Sequence, residues 1–198
     1  MKLWDKGIEL DKRIEAYTVG NDYRLDLKLV PYDCQASMAH AKMLAQIGIL
    51  KQGEATKLIS ELQHIADMAQ AGEFQIGLEQ EDCHTAIEEH LTAKLGDLGR
   101  KIHTGRSRND QVLTALRLYH KDALGYIATL AEQFIAAVET FAGKHGDVPL
   151  PGFTHTRKAM PSAVGMWAGV FSACNIKERK TTLLVTFRPN ARDRKSVV

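Results

Sequence analysis

The stretch SRNDQVLTALRLYHKDALGYIATLAEQFIAAVETFAGK, running from Ser107 to Lys144, decides the fold. Apolar or small residues return every three or four positions, at Val112, Leu116, Tyr119, Ala123, Tyr126, Ile127, Leu130, Phe134, Ile135, Val138 and Phe141. That is the period of one helix face. No proline interrupts the run, and Gly125 inside it costs a helix only about 1 kcal/mol. At about 1.5 Å per residue the element would be a rod of roughly 55 Å. Short helices alone cannot cover such a stripe, so it expects long partner helices from the same chain or from other subunits.

Upstream, the chain is free of proline back to Pro31, and this stretch reads as several more helices. Ala36 to Ile49 carries Ala36, Ala39, Met43 and Ile47 at helical spacing, with Leu50 just beyond. Ala55 to Ala71 repeats the pattern with Leu58, Ile59, Leu62, Ile65, Ala66 and Ala69, and Gly72 supplies a C-terminal stop. Glu81 to Leu95 sets Cys83, Ile87, Leu91 and Leu95 on one side. Its acidic start, Glu79 to Asp82, suits the positive end of a helix dipole. Gly96 to Gly105 reads as a glycine-punctuated loop. Downstream, Gly146 to Gly152 reads as a loop, and Pro161-Ser162 opens a helix through Val164, Met166, Trp167 and Val170.

Few segments read as strands, and Thr182 to Phe187 does so only weakly. From about Ile176 the helical period breaks and basic residues crowd in. This tail, residues 176–198, reads as an artefactual end such as a reading-frame slip, because the helix opened at Pro161 is cut off mid-pattern. The expected class is all-α, with an N-terminal helical domain over 1–105 and the truncated start of a long-helix bundle over 106–175.

Bulk properties narrow the function. Hydrophobic residues at 44% and charged residues at 25% suit a soluble globular chain. A net charge of +2 gives no global electrostatic case for nucleic acid. No window is apolar enough to span a membrane, and the N-terminus carries no secretory h-region. Cys34, Cys83 and Cys174 are odd in number and form no CxxC pair, which fits a reducing, cytoplasmic setting rather than a disulfide scaffold.

Four polar clusters carry candidate chemistry. His103 to Gln111, with Arg106, Ser107, Arg108, Asn109 and Asp110, sits at a loop-to-helix junction. Unpaired backbone N–H groups there attract anions, and the two arginines can fork onto carboxylates. No Gly-Lys-Ser/Thr occurs, so a phosphate loop is disfavoured. Glu81 to His84 is followed by Glu88. His84 and Glu88 are neighbours on one helix face and read as a plain surface or interhelical pair, since the HExxH spacing that would suggest zinc is missing. Ser37 to His40 lies on a helix. Gly152-Phe153-Thr154-His155 puts a histidine in a loop, where it is a candidate acid or base.

These strings resemble the argininosuccinate lyase family. His103-Thr104-Gly105-Arg106-Ser107-Arg108-Asn109-Asp110-Gln111-Val112 is similar to that family's signature almost letter for letter. Gly152 to His155 is similar to its second conserved segment, and Ser37 to Leu44 and Glu81 to His84 to its substrate-contacting segments. The likeness runs from Met1 to about Ala173. Two departures stand out. Thr156-Arg157 replaces the usual Leu-Gln, and the family's mobile Gly-Ser-Ser loop, whose serine is commonly assigned as the base, has no counterpart.

The resemblance implies a β-elimination of argininosuccinate to arginine and fumarate, without cofactor or metal. It implies that Ser37, Asp82, Ser107, Arg108, Asn109 and Thr154 bind substrate. It assigns His155 to proton transfer or charge stabilisation, with His84, Arg106 and Asp110 in support. It further implies a homotetramer for the full-length enzyme, and an inactive, poorly soluble product for this chain alone. Other readings stay open: a non-catalytic structural relative of the same fold, as in a lens crystallin, a helical interaction protein with a basic tail, or a lyase acting on another succinyl adduct.

Overall fold

The computed structural model describes residues 11–173. The expected strand at Thr182 to Phe187 and the basic tail therefore lie outside the described residues. The chain divides into two compact units, residues 1–119 and 120–198.

The first unit begins with α1 (Lys12–Val19), α2 (Asp22–Leu25) and a 3₁₀ turn, Asp26–Lys28. Three longer helices follow: α3 (Val30–Gln46), α4 (Gln52–Ala71) and α5 (Cys83–Leu95). They pack pairwise, and their inward stripes form the core: Val30, Cys34, Ala41 and Leu44 from α3, Leu58, Leu62 and Ile65 from α4, and Ala86, Ile87 and Leu91 from α5. Burying a leucine or isoleucine side chain contributes about 1.5–3 kcal/mol, so this stripe is what holds α3 to α5 in place.

The termini of α4 and α5 are set by specific residues. The Lys51 N–H donates to the Glu54 carboxylate at 2.8 Å at the start of α4. Gly72, at φ 75°, ends it in the left-handed conformation that glycine adopts most readily. Asp82 caps α5 by accepting the Thr85 N–H at 2.7 Å.

Two expectations need correction here. The stripe Ala36, Ala39, Met43, Ile47 lies beside the true core face of α3, since Met43 and Ile47 are exposed and the buried residues are Val30, Asp33, Cys34, Ser37, Ala41 and Leu44. Two of those buried positions are polar, which is why hydrophobicity alone points to the wrong face. Residues 96–105 are also more ordered than a loop. They form α6 (Asp97–Arg100) and a 3₁₀ turn, Lys101–His103, with Ile102 in the core. Gly99 makes this possible, because a Cβ there would collide with the Leu91 carbonyl.

The long helix α7 (Arg108–His145) matches the 107–144 rod. Its first turns belong to the first unit and the remainder to the second. In the second unit it is followed by a hairpin, β1 (Pro149–Thr154) and β2 (Arg157–Ala163), and by helical residues 164–173. The hairpin corrects two readings. Gly146 to Gly152 is not all loop, and the last helix begins at 164, three residues after Pro161. Pro149, Pro151 and Pro161 argue against a strand in a sheet interior, but a two-stranded ribbon has only edges, where proline is tolerated. The register slips between Pro151 and Phe153 at a bulge.

Candidate functional site

Ser107 and Asp110 build the start of α7. The Asp110 carboxylate accepts from the Ser107 N–H and from its hydroxyl, both at 2.9 Å. The Asp110 N–H points back to the Ser107 oxygen at 3.3 Å. This reciprocal cap fixes the first turn. Its hydrogen bonds hold the Asp110 carboxyl below the usual aspartate range. Asn109 is exposed on the same turn.

Arg106 and Arg108 flank that cap, and both are partly buried. Arg108 Nη2 donates to Glu88 Oε2 at 3.4 Å, and His103 Nδ1 donates to Glu88 Oε1 at 3.1 Å. Glu88 therefore joins α5 to the 103–108 segment. His40 Nε2 donates to the Thr104 carbonyl at 2.9 Å, which ties the same segment to α3. Burial pushes the His40 imidazole below its ordinary value.

Beneath this layer lies a buried polar cluster around Asp33, which is 0% exposed. His84 Nδ1 donates to its Oδ2 at 2.8 Å. Gln111 Nε2 lies 3.1 Å and 2.9 Å from its two oxygens, and the Ser37 hydroxyl donates to Oδ1 at 3.1 Å. Arg106 Nη1 in turn donates to Ser37 Oγ at 3.0 Å. The His84–Glu88 pair is thus corrected. His84 turns inward to Asp33, while Glu88 serves His103 and Arg108.

Among the described residues, three buried side-chain atoms have no hydrogen-bond partner: Arg106 Nε, Arg108 Nη1 and Gln111 Oε1. An orphaned buried donor costs about 1–3 kcal/mol, so the two on Arg106 and Arg108 set this layer apart from an ordinary helix cap. A cleft of about 330 Å³ opens beside Arg106, Gln111, His40 and Asp110.

The structure brings Ser37, His84, Arg106, Ser107, Arg108, Asn109 and Asp110 into one neighbourhood. Asp82 caps the helix that carries His84. Just before it, Glu81, at φ 67°, forms a γ-turn closed by the Asp82 N–H to the Gln80 carbonyl at 2.8 Å. Thr154 and His155 belong to the second unit. His155 (φ 48°) and Thr156 (φ 65°) are the two turn residues of the hairpin, both left-handed. His155 is exposed, and its Nδ1 lies 3.1 Å from Thr154 Oγ1. Left-handed backbone at a β-branched threonine is strained, and such strain clusters at functional sites.

Sequence reasoning missed Asp33. Its one signal is its place four residues before Ser37, one turn away on the same face. Asp33, Cys83 and His84 also bring potential metal-ligand atoms within 4.8 Å of one another. Both Asp33 oxygens are already engaged, and burial pushes the Cys83 thiol far up so that it keeps its proton. The trio is better suited to structure than to metal. Among the described residues no helix is long and apolar enough to cross a membrane.

Residues 6–186 match a family described as Lyase, and the chain belongs to that family. Its relatives there include argininosuccinate lyases. It is 49% identical over 168 residues to the argininosuccinate lyase of Thermotoga neapolitana, covering 85% of this chain and 42% of that protein. It is 44% identical over 171 residues to that of Sorangium cellulosum, covering 86% and 40%. The chain thus spans about two fifths of the length of these relatives. Among solved structures it is similar to EDDS lyase in complex with formate, at 24% identity and a TM-score of 0.69 over 91% of this chain and 35% of that one. It is also similar to β-carboxy-cis,cis-muconate cycloisomerase from Acinetobacter calcoaceticus, at 20% identity and a TM-score of 0.65 over 87% and 40%. At these identities the likeness establishes the helical fold alone.

Proposed function

We propose that this chain carries the carboxylate-binding part of an argininosuccinate lyase, a carbon–nitrogen lyase that splits L-argininosuccinate into L-arginine and fumarate. The observation that carries the reading is the pair of orphaned guanidinium nitrogens on Arg106 and Arg108 beside a capped helix start. Guanidinium groups fork onto carboxylates, Arg106 lines the cleft, and the first-turn N–H groups of α7 add to the field. The argininosuccinate lyase relatives support the same substrate.

In a β-elimination a base removes the proton beside a carboxylate, the resulting dianion is stabilised, and the guanidino nitrogen leaves after protonation. Arg108, Asn109, Ser107, Ser37, Asp82 and Thr154 are assigned to hold the substrate. Cationic and N–H donors aimed at the growing charge are the largest source of acceleration in such a reaction. His155 is assigned to proton transfer or charge stabilisation. His84, Arg106 and Asp110 support the binding layer. The chemistry calls for no cofactor or metal. The full-length enzyme is proposed to be a cytoplasmic homotetramer acting in arginine biosynthesis, and this chain alone to be inactive.

A chimera tests the reading directly. Residues 1–173 are joined to the part of the Thermotoga neapolitana enzyme that this chain does not match, and fumarate release is followed by ultraviolet absorbance. Turnover of L-argininosuccinate that falls at least about a hundredfold in Arg108→Ala supports the proposal, since one lost transition-state donor costs about that much. A folded, soluble chimera with no turnover overturns it.

A further inference from the structure

We infer that Asp33 is a positioning residue that aims the Arg106 guanidinium by way of the Ser37 hydroxyl. The inference rests on the dicarboxylate reading above and adds to it a residue that no motif singled out.

An ionised carboxylate can only accept hydrogen bonds. Ser37 must therefore spend its one proton on Asp33 Oδ1, at 3.1 Å. What its oxygen offers in the other direction is a lone pair, and Arg106 Nη1 donates to it at 3.0 Å. The order is thus directed: Arg106 gives to Ser37, and Ser37 gives to Asp33. The same rule turns the Gln111 amide, whose Nε2 faces Asp33 and whose Oε1 is left buried and unpartnered. One buried charge sets the orientation of two neutral side chains and, through one of them, of a cation.

A fully buried carboxylate is costly unless it is well paired, so its presence on the core face of α3 calls for a reason. The partners Ser37, His84 and Gln111 come from three helices, α3, α5 and α7. Asp33 thus sits where those helices meet beneath the 106–111 turn. Burial pulls the Arg106 guanidinium below its ordinary value, and the nearby charge of Asp33 opposes that pull. A consequence follows for Ser37. Its proton is committed, so it contributes to substrate binding through Arg106 rather than by donating to a carboxylate itself.

The test uses the 198-residue chain, ¹⁵N-labelled at arginine. The signal of the Arg106 Nη1–H group that donates to Ser37 is assigned by its loss in Arg106→Lys. In the wild type it is expected to be resolved and slow to exchange. In Asp33→Asn and in Ser37→Ala it should move and exchange at least about tenfold faster, the worth of one charge-assisted hydrogen bond. The double variant should add nothing to either single change, because both cut one chain of bonds. The Kd for succinate should rise about tenfold in each single variant and no further in the double. If Asp33→Asn does not fold, Ser37→Ala decides, since it leaves the Asp33 bonds to His84 and Gln111 in place.

An Arg106 signal that stays put in the folded variants overturns the inference, and so do additive effects. A lowered Tm with an unmoved signal would assign Asp33 to stability alone and has the same consequence. If the wild type binds no succinate while the Arg106 signal still responds, the dicarboxylate reading fails and the positioning role of Asp33 stands.

Discussion

In the first unit, the apolar stripes of α3, α4 and α5 face one another, and Leu44, Leu58, Leu62 and Ile65 are each at most 1% exposed. In the second, the same helical period along α7 leaves Tyr126, Ile127, Leu130, Phe134 and Phe141 exposed. Phe134 and Phe141, with Trp167 and Phe171, line an open apolar groove of about 400 Å³. Helical periodicity fixes which residues share a face, while the energy of that face depends on whether another element covers it. The candidate anion site belongs to the unit that is covered, and this is why its arginines can be held by Ser37 and Glu88.

The largest expected effect sharpens that contrast. Leu62→Ala should lower stability by about 3 kcal/mol, because it opens a cavity in a closed core. Phe134→Ala should cost less than about 1 kcal/mol, since Phe134 is already 48% exposed. Urea unfolding followed by circular dichroism measures both, and equal costs would break the comparison.

Next in size is the helix cap. Ser107→Ala removes the acceptor and donor that meet Asp110, and should cost about 1 kcal/mol in the same assay. Thr156→Gly should act in the other direction. It relieves a β-branched residue at φ 65° and should stabilise the hairpin by roughly 0.5–1 kcal/mol, seen as slower amide exchange over 149–163.

The smallest effect is a pH dependence. Burial lowers the His40 pKa in the folded chain, so protonation favours the unfolded state. The His40 contribution is then present above the ordinary histidine value of 6.5 and is lost as pH falls through the lower folded value. His40→Gln should flatten this part of the stability profile, and a profile of unchanged slope would contradict the assignment.

Much of the first unit was legible in the sequence. The stop at Gly72, the acidic start over Glu79 to Asp82 and the start near Ser107 are local chemistry, and the structure shows Gly72, Asp82 and Ser107 at helix ends. The face of α3 was not legible, because Asp33 and Ser37 occupy core positions that a hydrophobicity pattern scores as surface. The turns over Asp97 to His103 were hidden by Gly96, Gly99 and Gly105. Of these, Gly99 serves close packing, which sequence cannot separate from a loop. The hairpin was hidden by its prolines. Within the site, Arg106 to Asp110 stood out as a cap with two arginines. Asp33 did not, because its partners are 51 and 78 residues away and only the fold brings them together.

The most direct measurement is a succinate titration of the ¹⁵N-labelled chain, read at the backbone amides of the first turn of α7. Saturable shifts are expected, confined to Arg106 through Gln111 and their neighbours on α3 and α5, with the amides of 123–145 unmoved. Shifts that are absent, or that spread along the exposed stripe of α7, would contradict a built anion site in the first unit.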